Sequence, residues 1–92
     1  MKPIRWNSEK SLSLKAERGV SFEEVLSVIS QGGLITVIEH PNRTKYGHQK
    51  MLVVKVRDYA YLVPYVENEN EIFLKSIIPS RKATRDLLSG DK

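Results

Sequence analysis

The spacing of hydrophobic residues along this chain changes once, at Gly32-Gly33. Before the glycines, apolar residues recur at intervals of three and four, which is typical of a helix that buries one face. After them, the run LITVI at 34–38 and the later apolar segments are β-branched or alternate with period two, which is typical of strands. The pattern therefore predicts helices in the first third of the chain and a sheet in the remainder.

Two helices are predicted before the glycines. The first begins at Asn7 or Ser8 and runs to about Arg18, where Gly19 suits the left-handed position after a helix end. A short edge strand is predicted ahead of it at residues 4–6.

The second helix begins at the S-x-x-E capping box of Ser21 and Glu24, and Val20 and Val25 form its hydrophobic staple. Its predicted buried face carries four apolar side chains at helical spacing: Phe22, Val25, Leu26 and Ile29.

Three strands follow the LITVI strand, at about residues 50–56, 59–66 and 71–78. Such consecutive strands predict an antiparallel meander with helices packed on it, which is an α+β fold of one domain, residues 1–92. In the last strand Ile72, Leu74 and Ile78 are the predicted core residues. The turn near Asp58 decides which face of each long strand is buried.

An odd number of turn residues places the even positions of all three strands on the core face, and this is our prediction. A two-residue turn would swap the faces of one strand. With the odd turn, the other face carries basic and aromatic side chains: Lys55, Arg57, Tyr59, Tyr61, Tyr65, Phe73 and Lys75.

The last strand is predicted to stop at Pro79, which has no N–H for the ladder, and Ser80 suits the N-cap of a C-terminal helix. Arg81 and Lys82 then lie in the first helical turn, where each cation costs about 0.3–1 kcal/mol against the helix dipole. Cations and free N–H groups together predict a receptor for a phosphate or carboxylate. The alternative is that these side chains extend into solvent.

Composition narrows the class of protein. The chain has 92 residues, no cysteine and a net charge of +4 with a pI near 9.5. The absence of cysteine excludes a disulfide scaffold, a thiolate metal site and a Cys nucleophile. No signal peptide and no membrane span is recognisable, so we expect a cytoplasmic protein without membrane contact.

Two kinds of residue suggest chemistry. His40 and His48 are candidates for proton transfer, although solvated surface histidines have the same appearance. Their spacing, with Glu39 nearby, matches no standard metal motif, so neither a metal nor another cofactor is expected. The basic and aromatic strand face suggests RNA binding, since cations neutralise phosphates and tyrosines stack on bases. An ordinary solvated sheet face is the alternative.

The segments RGVSFEE at 18–24 and IIPSRKAT at 77–84 resemble the BrnT family of bacterial type II toxins, within the RelE/ParE-like superfamily. The likeness extends over nearly the whole chain. It implies a RelE-like fold, cleavage of RNA without a metal, and a cognate antitoxin encoded beside the toxin. It also implies that the complex contacts DNA only through the antitoxin.

Several individual residues can also be compared with the family. Arg81 matches the arginine of the family's Ser-Ala-Arg motif, and Lys50 matches a basic residue that enters the second long strand. The chain departs from the family at Glu17 and Arg18, where Lys-His is usual, and at Ser76, where an arginine is usual. These departures concern catalytic strength and substrate choice rather than fold.

The predicted function is a toxin that inhibits translation as a metal-independent endoribonuclease; its substrate is RNA, and free RNA and ribosome-associated mRNA are both open alternatives. His48 is the predicted acid or base, Arg81 and Lys50 hold the phosphate, and Tyr61 supports them. Further RNA or phosphate contacts are predicted for five cations: Arg18, Lys55, Arg57, Lys75 and Lys82. The alternative is a non-catalytic binding protein, either a ParE-like inhibitor of a protein target or an inactive relic that partners an antitoxin.

Overall fold

A computed structural model of the chain describes residues 2–39 and 49–88, which form a small α+β fold. The elements are β1 (Ile4–Arg5), α1 (Ser8–Arg18), α2 (Phe22–Ser30), β2 (Leu34–Glu39), β3 (Lys50–Val56), β4 (Tyr59–Glu67), β5 (Ile72–Leu74), β6 (Ile78–Pro79) and α3 (Arg81–Ala83). A π-helical turn, Thr84–Leu88, continues α3. We call residues 81–88 the C-terminal helix.

The strands form one six-stranded sheet in the order β1-β5-β4-β3-β2, with β6 also pairing with β4. All pairs from β2 to β6 are antiparallel, as predicted. The edge strand β1 instead runs parallel to β5, with Ile4 opposite Ile72. The sheet is therefore mixed, and a purely antiparallel description was wrong for this pair.

The helix ends confirm the capping predictions. Asn7 Oδ1 accepts a hydrogen bond from the Lys10 N–H at 2.9 Å, and Ser21 Oγ accepts one from the Glu24 N–H at 3.1 Å. Gly19 closes α1 with a φ of 77°, which is the left-handed conformation that glycine adopts at little cost. Local sequence chemistry is therefore enough to fix where these two helices begin and where α1 ends.

The buried face of α2 is narrower than predicted. Phe22 and Val25 are fully buried, but Leu26 is exposed and that part of the prediction was wrong. Val28 and Ile29 pack at the margin of the core instead. The nine residues of α2 pack over β3, and the part of the apolar stripe beyond that contact remains in solvent.

The turn between β3 and β4 has two residues, and the prediction of an odd turn was wrong. Val56 lies opposite Tyr59, so Arg57 and Asp58 alone form the turn, with φ values of 50° and 67°. Two successive positive φ angles are the geometry of a type I′ hairpin turn, which usually carries Asn and Gly. The dipeptide Arg-Asp does not predict a turn of this type.

The short turn gives β3 and β4 opposite parities. The even positions of β3 and the odd positions of β4 share the face covered by α1 and α2, which we call the helix face. Its core consists of Leu14, Val20, Phe22, Val25, Val54, Val56, Val63, Tyr65, Leu74 and Ile77. The opposite side, which we call the outer face, is also apolar and lies against the C-terminal helix.

The end of the meander differs from the sequence prediction in one residue. Ile72 and Leu74 lie on the helix face as expected, but Ile77 is the fully buried isoleucine and Ile78 is exposed. The cause is the interruption between β5 and β6. The new strand pairs Ile78 with Leu62, an outer-face residue, so the alternation does not continue from Leu74.

No helix within residues 2–39 and 49–88 is long and apolar enough to cross a membrane.

Candidate functional site

The start of the C-terminal helix is fixed to β4 by a closed set of hydrogen bonds. The Ser80 N–H donates to the Ala60 carbonyl at 3.0 Å, and the Ala60 N–H donates to Thr84 Oγ1 at 2.8 Å. Thr84 Oγ1 donates in turn to the Ser80 carbonyl at 2.8 Å. Ser80 Oγ accepts from the Ala83 N–H at 3.0 Å, which confirms the predicted N-cap.

Arg81 and Lys82 project from this rigid start. Both are exposed, and neither side chain has a hydrogen bond or an ion pair within the described part of the chain. No acidic residue lies in the first turn of this helix, which is the energetically unfavourable arrangement that the sequence predicted. Two cations without a partner among residues 2–39 and 49–88 are candidates to hold a ligand.

Tyr61 lies at the same end of the sheet as Arg81. It is half-buried on the helix face, opposite Val54 in β3 and Pro79 in β6, two residues before Arg81. The ring of Tyr59 meets it edge-on with centroids 5.6 Å apart, which fixes the orientation of both rings. Tyr61 and Arg81 therefore share one end of the sheet, but Tyr61 is on the helix face whereas the C-terminal helix lies against the outer face.

Arg18 and Arg57 are held by the protein itself. The Arg18 guanidinium donates to the Ile77 carbonyl and so joins the end of α1 to the segment before β6. The Arg57 guanidinium donates to the Gly19 carbonyl at 2.7 Å and also pairs with Glu24. Both predicted RNA contacts therefore hold the structure together in the unliganded chain.

Lys50 lies away from Tyr61. It is opposite Tyr65 in the β3–β4 ladder, four residues from Val54, or about 13 Å along the strand. Its neighbours are Lys2 and Glu67, whose Nζ and Oε2 atoms are 2.7 Å apart.

The ionisable groups at that end of the sheet belong to a surface ion pair. The hydrogen bond from Lys2 lowers the pKa of Glu67 below its ordinary value, and the charge of Lys50 makes a smaller contribution in the same direction. Burial raises the pKa of Tyr65, a core residue. Lys50 and Arg81 do not form one phosphate site in this arrangement.

The predicted basic and aromatic face does not exist as a single surface. The three tyrosines lie on the helix face, and Tyr65 is in the core. Lys55 and Phe73 lie on the outer face, with the Lys55 ammonium 3.5 Å from Asp58 and the Lys75 ammonium 5.5 Å from the Phe73 ring centroid. The two-residue turn separates the two groups by reversing the parity of β4.

Some predicted residues give no further geometry. His48, like His40, lies outside the described residues, so its catalytic role stays a prediction. Glu17 is exposed and Ser76 is half-buried, each where the resemblance placed a different side chain. Within residues 2–39 and 49–88, no three His, Cys, Asp or Glu side chains are grouped so that they could hold a metal ion.

Sequence reasoning missed an apolar groove on the outer face. It has a volume of about 350 Å³ and lies between the sheet and the C-terminal helix. Its described lining is Ile38, Met51, Val53, Leu62, Ser80, Lys82, Ala83, Asp86 and Leu87. The sequences of β3 and β4 indicated such a surface, because both strands have apolar residues on both faces. Which of these residues share a face could be decided only once the length of the turn was known.

Two exposed cations at a helix start can bind a phosphate, and the Tyr61 phenol at the same end of the sheet is a group that can exchange a proton. No protein-family model matches the sequence, and neither a curated protein nor a solved structure shows significant similarity to it.

Proposed function

We propose that this chain is the toxin of a type II toxin–antitoxin pair and cleaves RNA without a metal ion. The observation that carries the proposal is the pair of cations, Arg81 and Lys82, which have no partner within residues 2–39 and 49–88 and lie on a helix start bonded to β4. A protein that leaves two cations unpaired at the positive end of a helix gives up stability there. A bound phosphate would offset that cost.

RNA cleavage of this kind requires three contributions from the protein. The 2′-hydroxyl of the substrate attacks its own neighbouring phosphate, so one proton must be removed, extra negative charge must be stabilised and the leaving oxygen must be protonated. Arg81 supplies the charge, with Lys82 beside it, and Tyr61 is the proposed group that exchanges a proton. His48 remains the proposed partner acid or base.

The order of elements supports the same proposal. Two helices between an N-terminal strand and an antiparallel meander, followed by a short helix, is the RelE-like arrangement that the resemblance to BrnT toxins implies. Under this proposal the protein works in the cytoplasm, bound to an antitoxin until released, and reaches DNA only through that antitoxin.

Arg81→Ala tests the site. We expect its free energy of unfolding to be unchanged or slightly raised, because an unfavourable charge leaves the helix start. RNA cleavage in the presence of EDTA should fall by about 30- to 1000-fold, the equivalent of about 2–4 kcal/mol of transition-state stabilisation. Urea denaturation and gel analysis of RNA cleavage measure the two effects.

Arg85→Ala is the matched control, since Arg85 lies one turn further along and pairs with Asp86 at 3.3 Å. It should retain most of the activity. An Arg81→Ala protein that is folded and cuts RNA at the normal rate would place the phosphate site elsewhere.

A non-catalytic binding role is the second candidate, and a specific arrangement favours it. Arg18 and Arg57 are occupied by backbone carbonyls, and Lys50 is distant from Arg81, so few cations converge on one point. Wild-type protein that binds an antitoxin but leaves RNA intact in EDTA and in Mg²⁺ would support this role.

A further inference from the structure

The groove on the outer face is bounded on one side by the C-terminal helix and on the other by β2, the last strand in the order of the sheet. Its floor is formed by the outer-face residues of β2, β3 and β4, and Leu87 of the helix forms its wall. Leu87 is 46% exposed and Ile38 is 38% exposed, although both line an apolar groove. Two large apolar side chains are thus partly uncovered on opposite sides of one depression.

The dimensions of this surface suit a helix. The C-terminal helix is bonded to β4 at Ala60, and β2 lies two strands away. Two strand spacings are about 9.6 Å, which is close to the 8–10 Å between the axes of packed helices. The six residues of β2 span about 20 Å, the length of about 13 helical residues.

The charges around the groove indicate which kind of helix would bind there. Lys82 lines it and Arg81 is next to Lys82, and neither cation is paired among the described residues. The acidic group of the lining, Asp86, is 3.3 Å from the Arg85 guanidinium and so is already paired. The unsatisfied charge at the rim is therefore positive.

We propose that the groove docks an acidic amphipathic helix of a partner protein, about 13 residues long, which lies beside the C-terminal helix and over β2 and β3. Its apolar stripe packs on Ile38, Leu62 and Leu87, and its acidic side chains pair with Arg81 and Lys82. This inference deepens the proposed function, because the helix would belong to the antitoxin and would cover Arg81.

A designed peptide tests the surface without knowledge of the natural partner. The probe is a fluorescent 14-residue helical peptide with leucines at i, i+3, i+4 and i+7 and glutamates on its other face, and its counterpart has lysines for the glutamates. By fluorescence anisotropy, the glutamate peptide should bind at least about tenfold more tightly than the lysine peptide, since like charges at an interface weaken binding.

Leu87→Glu and Ile38→Glu should each weaken binding of the glutamate peptide by at least about tenfold, because each removes an apolar contact and adds a repulsive charge. Both side chains are already partly exposed, so circular dichroism should show an unchanged fold. Leu12→Glu is the matched control, because Leu12 is 74% exposed on α1 and is not part of the groove.

Three results would overturn the inference: no binding of the glutamate peptide, equal binding of both peptides, or equal binding to wild type and both groove variants. If the groove variants weaken the binding of a single-stranded RNA and the glutamate peptide does not bind, the groove is a nucleic-acid surface instead. Failure of the proposed function is separate, because it would appear as intact RNA in the cleavage assay whatever the peptide does.

Discussion

Ser11 is the one polar side chain that is buried in the described part of the chain, at 2% exposure. Its hydroxyl donates to Glu23 Oε1 at 2.6 Å and accepts from the Phe22 N–H at 2.9 Å. A single side chain from α1 therefore satisfies the first backbone N–H of α2 and orients a carboxylate in the first turn. The α1–α2 angle depends on this contact as well as on apolar packing.

Ser11→Ala should lower the free energy of unfolding by about 1–3 kcal/mol, because it leaves the buried Phe22 N–H without an acceptor. Urea denaturation at neutral pH measures the change. Ser13→Ala, two residues away on the exposed side of α1, should change stability by less than about 0.5 kcal/mol. Equal effects of the two substitutions would contradict this account.

The role of Ser11 could not be predicted from the sequence. A serine within a helix usually points to solvent, and its burial here depends on how α2 returns across α1. The caps at Asn7 and Ser21 could be predicted, because each needs only residues three positions away. The role of a polar residue can be predicted from the sequence when its hydrogen-bond partners are only a few positions away in the chain.

The β3–β4 hairpin is the element that most changed the expected site. Its turn places Arg57 and Asp58 in the left-handed region, which costs about 1 kcal/mol or more for a residue with a Cβ. The Arg57 guanidinium, bonded to Gly19 and Glu24, anchors the turn against the α1–α2 junction. Tertiary contacts rather than turn propensity therefore hold this hairpin.

Asp58→Gly should raise the free energy of unfolding by about 0.5–1 kcal/mol, because glycine adopts this φ without steric cost. The lost contact with Lys55 is exposed and contributes little. Thermal unfolding followed by circular dichroism tests the expectation.

Asp58→Val is the opposing variant, since a β-branched side chain tolerates a positive φ least. It should melt below wild type. A glycine variant that melts below wild type as well would indicate that the turn is set by the Asp58 side chain and not by backbone strain.

The hairpin also explains which parts of the sheet could be foreseen. The antiparallel order of the strands after β1 followed from period and sequence proximity, although the last predicted strand is divided into β5 and β6. Their facing did not, because a change of one residue in turn length inverts every side chain of a strand. Lys55 and Tyr61 were predicted to share a face and lie on opposite faces for this reason alone.

Across the whole molecule, the cations divide into two groups with different roles. Arg18 and Arg57 are bonded to backbone carbonyls and hold segments together, whereas Arg81 and Lys82 are unpaired among the described residues. The sequence singled out Arg81 and Lys82 by their place at a helix start, but it gave no sign that Arg18 and Arg57 are held by the protein itself. Their division depends on contacts between residues 33 to 59 positions apart, which no local pattern reveals.

The stability of the whole protein should depend on acid through two carboxylates. Ser11 lowers the pKa of Glu23 and Lys2 lowers that of Glu67 below the ordinary value of 4.5. A depressed folded-state pKa means that the unfolded chain takes up protons first as pH falls. These contributions are therefore fully present above about pH 4.5 and are lost as pH falls through the lowered values.

We expect the free energy of unfolding of the wild type to fall between pH 5 and pH 3, measured by urea denaturation across that range. Lys2→Ala should reduce the acid-dependent part, because Glu67 then titrates closer to its unfolded value. A wild type and a Lys2→Ala protein with the same dependence on pH would show that the Glu67 pair is not coupled to folding.

The parallel pairing of β1 with β5 has a consequence for synthesis on the ribosome. Ile4 is translated 68 positions before Ile72, its partner in the sheet. At about 5–20 residues per second, the first strand waits about 3–14 s for its neighbour to be made. The nascent chain therefore cannot complete its sheet until Ile72 has been made, and until then the first strand and the two helices that follow it lack this edge of the sheet.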